Sequence, residues 1–213
     1  GVKSVFHLPD ELSFQEGALL DPAAIALHTA ERGNISSGDT VVVLGPGPVG
    51  LLAGDAARAL GAGRVIVVGR GERLAKAAEL GFETVDYATT DPVETVQGMT
   101  DGVGSDVALD CAGVPDSYRW ALAMLHKGGR GASVGSPVAD VGLSLQALVL
   151  YAKELVGVRA TAGGMRRAMP LGADGRIRVN ELHTHTFPLE EFRLAIDTFN
   201  ERRDGALKVI LEP

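Results

Sequence analysis

The chain has 213 residues, of which 46% are hydrophobic, a formal net charge of −7 and one cysteine. That length suits one large domain, or one domain with an appendage. The 20 Lys and Arg residues form no basic block, so we expect no nucleic-acid partner. Charges interrupt the long apolar runs and the N-terminus does not resemble a signal peptide, so we expect no membrane span and a cytoplasmic location. A single cysteine excludes an internal disulfide and a thiolate zinc cluster within the chain.

The N-terminal segment differs in character from the rest of the chain. Its first 20 residues carry a turn at Leu8-Pro9 and an acidic stretch. A helix is then predicted to start with Asp21 as its N-cap and Pro22 at its first helical position.

Strand-like runs alternate with helix-like runs from residue 40 to about residue 160. The strand-like runs are short and continuously apolar, which is typical of strands buried on both faces of a parallel sheet. The pattern predicts an α/β fold with a Rossmann-type, doubly wound, six-stranded parallel sheet. The predicted strands are 41–44, 64–68, 84–86, 106–110, 130–134 and 154–158, and the predicted helices are 48–60, 72–80, 91–99, 115–126 and 144–152.

The C-terminal segment departs from this alternation. Residues 176–186 are predicted to be extended, and residues 207–211 are predicted to form a final strand. Between them, 189–202 is predicted to be an amphipathic helix. Its apolar face comprises Phe192, Ala195, Ile196 and Phe199.

A glycine motif, Gly45-x-Gly47-x-x-Gly50, follows the first predicted strand and opens a helix at Pro48 and Val49. In a dinucleotide site the first glycine makes the tight turn, the second admits the pyrophosphate and the third lets helix and strand pack closely. The helix N-terminus supplies N–H groups and partial positive charge to the phosphates. A purely structural glycine turn is the alternative, but the strand–turn–helix context favours a nucleotide site.

The residues after the second and third strands bear on the choice of cofactor. NAD sites usually carry an acid after the second strand, whereas Gly69 and Arg70 stand here, with Arg73 a turn later. A guanidinium without an acid favours a 2′-phosphate, so we expect NADP in preference to NAD. Tyr87, after the third strand, either lies against that phosphate or is a half-buried aromatic residue.

Two further turns follow the fourth and fifth strands, and they contain Cys111-Ala112 and Gly135-Ser136. Ligands of open α/β sheets lie outside the carboxyl ends of the strands. Backbone groups of these turns are therefore expected to hold the ribose and the nicotinamide carboxamide. Cys111 is either a nucleophile or a small packed thiol, and the second interpretation is favoured because no base partner is visible nearby.

The order of seven segments resembles the medium-chain dehydrogenase/reductase family, and most closely its zinc-dependent polyol, threonine and alcohol dehydrogenases. These segments are DPAAIALHTA, GDTVVVLGPGPVGLLA, RVIVV, SDVALDCAG, GGRGASVG, FPLEEFRLAID and KVILEP. The resemblance implies a GroES-like catalytic domain followed by a Rossmann domain, with the chain end returning to the catalytic domain. It divides this chain into a remnant of the catalytic domain (1–24), the dinucleotide-binding domain (25–172) and the C-terminal return (173–213).

The resemblance also implies a function for the complete enzyme: hydride exchange between a secondary alcohol and NADP(H) or NAD(H), with a small alcohol or ketone as substrate. The family's first zinc-ligand cysteine, its Gly-His-Glu segment and its four-cysteine lobe have no counterpart here. We therefore interpret the chain as the cofactor-binding portion of such an enzyme, either cut from it or a natural short relative. The alternatives are a nucleotide-binding module without turnover, and an interaction protein that uses its sheet edge.

Asp21 is the candidate metal ligand, because the resemblance places a zinc-binding carboxylate or cysteine just before its helix. This role applies to a complete enzyme, and we expect no zinc on the present chain alone. The alternative role is the N-cap. The resemblance puts His28 near the substrate or nicotinamide, although a packed histidine is an equal alternative. His183 and His185 share a strand face but lack a third ligand, so a metal site there is disfavoured.

The sixth predicted strand, 154–158, is expected at an edge of the sheet. Unpaired edges are normally covered, and a two-fold partner covers one by continuing the sheet. The resembling family dimerises through this domain, so we expect a homodimer. In the alternative, a loop or the C-terminal segment covers the edge in a monomer.

Overall fold

Six parallel strands form the central sheet of the computed structural model, which describes residues 5–161 and 163–213. The strands are β1 (Thr40–Leu44), β2 (Arg64–Gly69), β3 (Glu83–Asp86), β4 (Ser105–Asp110), β5 (Leu125–Ser133) and β6 (Glu154–Gly157). Their order is β3-β2-β1-β4-β5-β6. The predicted doubly wound α/β sheet is therefore confirmed. The order reverses at β1, which pairs with both β2 and β4, so a ligand crevice is expected at their carboxyl ends.

Nine α-helices are assigned in the described ranges: α1 (Phe14–Ala18), α2 (Leu20–Arg32), α3 (Pro48–Ala59), α4 (Gly71–Glu79), α5 (Pro92–Met99), α6 (Pro115–Met124), α7 (Leu145–Leu150), α8 (Met165–Ala173) and α9 (Phe192–Glu201). Side chains of α2, α3, α4 and α8 join one apolar cluster with Val41 and Val43. Side chains of α5 and α6 join the opposite cluster with Val42 and Leu44. Strand β1 is thus buried on both faces, as its continuous apolar run predicts. No helix in these ranges has both the length and the hydropathy that crossing a bilayer requires.

The start of α2 differs from the prediction. Its N-cap is Leu19, which makes no side-chain cap bond, and Asp21 is the second residue of the helix. The preceding helix α1 runs almost directly into α2, so the N–H of Ala23 donates to the carbonyl of Leu19 in the first helical hydrogen bond. Pro22 is the third helical residue and is tolerated there, because N–H groups of the first turn have no intrahelical partner.

The connection between α6 and β5 also differs from the prediction. The helix ends at Met124 and the strand begins directly at Leu125, although sequence analysis predicted a helix to residue 126 and a strand from residue 130. Gly128 lies inside the strand at φ +85°, and its N–H donates to the carbonyl of Tyr151 at 2.8 Å. The register against β4 shifts in this region, between Ser105 and Val107. Gly128 therefore lies within an irregular strand start and not in a loop between helix and strand.

The C-terminal segment forms a second, two-stranded parallel sheet of β7 (His183–Pro188) and β8 (Lys208–Glu212), which α9 connects. The predicted final strand is confirmed. The predicted extended segment 176–186 is wrong in part, because a 3-10 turn occupies Val179–Leu182. In α9 only Ala195 of the predicted apolar face is buried. Phe192, Ile196 and Phe199 stay exposed in the described structure.

A buried ion pair ties this C-terminal segment to the main sheet. Asp55 of α3 is 3% exposed and accepts hydrogen bonds from the backbone N–H of Arg178 at 3.0 Å and from its guanidinium. Arg178 also donates to the carbonyl of Leu80 at 3.0 Å. The ring of Phe82 lies near two guanidinium groups, those of Arg58 and Arg178. This contact holds the segment leading to β7 against α3.

Candidate cofactor site

The glycine motif forms a turn between β1 and α3 that tolerates no larger residue at two of its positions. Gly45 has φ +97°, and its N–H donates to the carbonyl of Val68 at 2.9 Å. A Cβ added at Gly50 would lie 1.9 Å from the carbonyl oxygen of Gly45. The space around Gly47, by contrast, is open, because the nearest atom to an added Cβ is Nη1 of Arg73 at 3.9 Å. Gly47 caps α3 and Pro48 is its first residue, so the free N–H groups of the helix face this opening.

A cavity of about 450 Å³ opens beside this turn, at the carboxyl ends of β1, β2 and β4. We call it the first cavity. It brings together eight of the residues that the sequence predicted: Gly45, Gly47, Gly69, Arg70, Arg73, Tyr87, Cys111 and Ala112. Pro48, Val49 and Gly50 lie directly behind it in the first turn of α3. Its position agrees with the ligand crevice expected where the strand order reverses.

Three guanidinium groups line the first cavity, from Arg70, Arg73 and Arg202. Arg73 donates to the carbonyl of Ala206 at 3.3 Å, but its buried Nε has no partner. Burial lowers the pKa of Arg73, and the neighbouring Arg202 lowers it further. Among the described residues none of these three side chains forms an ion pair with a carboxylate. Unpaired guanidinium groups beside an open helix N-terminus are suited to phosphate.

Aromatic side chains form the other wall of the first cavity. The rings of Tyr87 and Trp120 are 5.3 Å apart between centroids and tilted by 44°. The guanidinium carbon of Arg70 lies 5.6 Å from the centre of the Tyr87 ring. Such a wall has the flat apolar surface against which a nucleotide base packs.

Sequence reasoning missed Trp120 and Arg202, together with Val114, Asp116 and Ser117 on the same wall. Trp120 is the only tryptophan of the chain and is the sixth residue of α6, which follows β4. Arg202 ends α9 in a left-handed conformation, with φ +56°. Neither position carries a motif, because the tertiary arrangement alone brings α6 and the end of α9 to the cavity.

A second cavity of about 570 Å³ lies further along the same edge, at the carboxyl ends of β5 and β6. Gly135 and Ser136, the last two predicted site residues, line this second cavity with Tyr118, Val158 and Arg159. The turns after β4 and β5 lie between the two cavities. The predicted residues are therefore divided between two neighbouring cavities.

Cys111 is the only cysteine and lies at the end of β4. Burial raises the pKa of its thiol, and the charge of Asp110 raises it further. The thiolate is the nucleophilic form of cysteine, so a raised pKa opposes nucleophilic chemistry. Cys111 is thus a packed thiol in the lining of the first cavity.

Asp21, the candidate zinc ligand, is exposed in the first turn of α2. His28, two turns later, lies with Nδ1 3.7 Å from a carboxylate oxygen of Glu31. On β7, Nε2 of His183 bonds to the hydroxyl of Thr186, whereas Nδ1 of His185 is buried without a partner. Within residues 5–161 and 163–213 no three His, Cys, Asp or Glu side chains converge as metal ligands.

Comparisons with known proteins agree with this fold. A profile of the zinc-binding dehydrogenase family matches residues 48–174. The chain belongs to this family, which confirms the resemblance to zinc-type medium-chain dehydrogenases. The sorbitol dehydrogenase of Bacillus subtilis is 32% identical over 212 residues, and the alignment covers 98% of this chain and 60% of that protein. The sorbitol dehydrogenase of Rattus norvegicus is 31% identical, over 97% of this chain and 58% of that protein.

Solved structures give the same result. The 2R,3R-butanediol dehydrogenase of Bacillus subtilis superposes with a TM-score of 0.91 at 30% identity, over 98% of this chain and 60% of that one. A zinc-binding dehydrogenase of Sinorhizobium meliloti, solved bound to NADP, superposes with a TM-score of 0.91 at 29% identity, over 99% and 63%. The chain thus spans about three fifths of the length of these relatives.

Proposed function

We propose that this chain is the nicotinamide-cofactor-binding part of a zinc-type dehydrogenase that exchanges hydride between a secondary alcohol and NAD(P). One observation carries the proposal: the open space at Gly47 faces unpaired guanidinium groups at the N-terminus of α3. That combination suits a diphosphate. The adenosine half then lies against Tyr87 and Trp120 in the first cavity, and the nicotinamide half lies in the second cavity.

The proposed cofactor preference is NADP over NAD. Strand β2 ends at Gly69 without an acid that would accept from a ribose 2′-hydroxyl. Arg70 follows directly and lies over Tyr87, which suits the 2′-phosphate. Arg73 lies closer to Gly47, so we assign it to the diphosphate. The relative from Sinorhizobium meliloti that was solved with NADP adds support.

The complete protein is proposed to act on a small alcohol or ketone of polyol type, as the names of the sorbitol dehydrogenase relatives suggest. Zinc, when bound, would polarise the substrate oxygen. Asp21 is proposed as one ligand, with the others contributed by sequence outside this chain. The boundaries near residues 24 and 172 are proposed to separate the dinucleotide-binding domain from the parts that belong to the catalytic domain.

We also propose a homodimer formed through β6. Within the described sheet β6 pairs with β5 alone, so its other edge is free to continue the sheet. The neighbouring helix α7 exposes Leu145, Val149 and Leu150 by 72%, 80% and 65%. An apolar surface beside an open strand edge suits a two-fold partner.

The second candidate function is a nucleotide-binding module without turnover. It is favoured by the absence of three converging metal ligands among the described residues. A third, an interaction protein that uses its sheet edge, needs no cofactor at all. A measurement of cofactor binding therefore separates the interaction protein from the dehydrogenase and from the nucleotide-binding module. An assay of the longest gene product with zinc separates dehydrogenase from binding module.

The test of the proposed function is calorimetric titration of NADPH into the wild-type chain and into Gly47→Val. We expect saturable binding by the wild type and none by the variant, because the branched side chain occupies the space of the diphosphate. Gly98→Val is the matched control, since Gly98 lies on α5 with open space around it. Unchanged affinity in a folded Gly47→Val protein would overturn the assignment of this turn to the cofactor.

A further inference from the structure

The two cavities are separated by a contact between two backbone turns, those after β4 and β5. A Cβ added at Gly135 would lie 2.3 Å from the backbone nitrogen of Gly113. A Cβ added at Gly113, which has φ +68°, would lie 2.8 Å from the backbone nitrogen of Ser136. The turns thus touch without side chains between them and form a thin partition.

Asp110, the last residue of β4, lies at the base of this partition and is 1% exposed. Its Oδ1 accepts from the backbone N–H groups of Ala112 at 3.1 Å and Gly113 at 3.2 Å. Its Oδ2 accepts from the hydroxyl of Ser133 at 2.7 Å. One carboxylate therefore joins the first turn to the last residue of β5.

The second turn is held from two further directions. The N–H groups of Val134 and Gly135 donate to the backbone carbonyl of Asp110 at 3.0 and 3.2 Å. The hydroxyl of Tyr118, on α6, donates to the carbonyl of Gly135 at 2.6 Å. Both turns are consequently fixed in orientation, and Asp110 contributes to each.

Burying a carboxylate is costly unless hydrogen bonds compensate it. Asp110 forms no ion pair within the described ranges, and its compensation comes from these turn groups. A carboxylate only accepts hydrogen bonds, so it forces the N–H groups of Ala112 and Gly113 to point toward it. The placement of a buried charge at this point suits a role in orienting the partition.

We propose that Asp110 and Ser133 are positioning residues that hold the partition and thereby set the nicotinamide half of the cofactor. The inference rests on the proposed cofactor binding. The adenosine half lies on the far side, against Tyr87 and Trp120, and contacts neither residue. Loss of the hydrogen bond between Ser133 and Asp110 should therefore weaken binding of the nicotinamide half and leave binding of the adenosine half unchanged.

The experiment titrates the full chain with NADPH, read by nicotinamide fluorescence, and with 2′,5′-ADP, which probes the adenosine half alone. Variants are Asp110→Ala, Ser133→Ala and Asp110→Asn. The control is Ser105→Ala, which removes a buried serine at the other end of β4. Asp110→Asn retains the link, because its carboxamide oxygen accepts from the turn while its NH₂ donates to the Ser133 hydroxyl.

Asp110→Ala and Ser133→Ala should each weaken NADPH about tenfold, the loss expected for one buried hydrogen bond, and lose the enhanced nicotinamide fluorescence. Affinity for 2′,5′-ADP should stay unchanged in both, as should all signals of Asp110→Asn and Ser105→Ala. Ser133→Ala removes a single hydroxyl. Its NADPH affinity therefore tests the proposed positioning role even where Asp110→Ala fails to fold.

Three results would overturn this inference while leaving the proposed function intact. They are wild-type NADPH binding by Ser133→Ala, equal losses for NADPH and 2′,5′-ADP, and an Asp110→Asn protein as impaired as Asp110→Ala. A wild-type chain that binds neither probe would instead overturn the proposed function, and this inference with it.

Discussion

Replacing Arg70 with alanine should convert the site from NADP preference toward NAD. Arg70 is the N-cap of α4, and its guanidinium lies over Tyr87 at the end of the first cavity. A charge-assisted hydrogen bond to a phosphate contributes about 1.5–3 kcal/mol. Arg70 is exposed, and solvent screens its charge, so the lower limit applies. Since about 1.4 kcal/mol corresponds to tenfold in affinity, NADP should weaken about tenfold while NAD is unaffected.

Arg73→Ala should behave differently, because Arg73 lies beside Gly47 and not beyond β2. We expect it to weaken NADP and NAD equally. Calorimetric titration of both oxidised cofactors into both variants measures the two ratios directly. The control is Arg176→Ala, which removes an exposed guanidinium paired with Asp174 and should change neither affinity. Equal losses for the two cofactors in Arg70→Ala would refute the assignment of Arg70 to the 2′-phosphate.

Three further predictions concern stability and assembly. Gly50→Ala should destabilise the chain by at least about 2 kcal/mol in urea unfolding, because its Cβ would meet the Gly45 carbonyl oxygen at 1.9 Å, and a stable variant would show that the turn can relax. Asp55→Ala should lower the free energy of unfolding by about 3 kcal/mol, because it leaves the partly buried Arg178 guanidinium unpaired. A loss below about 1 kcal/mol would show that this ion pair does not hold the C-terminal segment in place. Light scattering at high micromolar concentration should give twice the chain mass of 22.1 kDa, and a monomer mass would count against a dimer through β6.

The sheet was predictable because parallel strands buried on both faces leave continuous apolar runs in the sequence. Strands β1, β2 and β6 start within one residue of their predicted positions, and the glycine turn follows β1 as its motif predicts. The cofactor edge follows from the same pattern, because ligands of such sheets lie at the carboxyl ends of the strands. Local sequence therefore carries both the layered core and the phosphate-binding turn.

Helix α8 shows what local sequence does not carry. It contains Pro170 and Gly172, two residues that normally disfavour a helix. Packing overrides them: Gly172 lies close to Leu20 of α2, and Arg167 pairs with Glu31 at 2.7 Å. The position of this helix depends on a partner element distant in the sequence.

The candidate site was predictable only where local sequence marks it. The glycine turn and the ends of β2, β4 and β5 were found because strand ends can be read from the sequence. Trp120 and Arg202 were missed because they reach the first cavity from α6 and from the end of α9. Asp110 was recognised only as a strand end, since its hydrogen bond from Ser133 depends on how β4 and β5 pair.

The most direct test of the account is a fluorescence titration of NADPH into the wild-type chain, with 2′,5′-ADP as competitor. Binding in the two cavities predicts a saturable increase of nicotinamide emission with one cofactor per chain. It also predicts energy transfer from Trp120, which lines the first cavity, and displacement of NADPH by the competitor. A folded chain that shows no saturable change at millimolar NADPH would contradict the claim that this protein binds a nicotinamide cofactor.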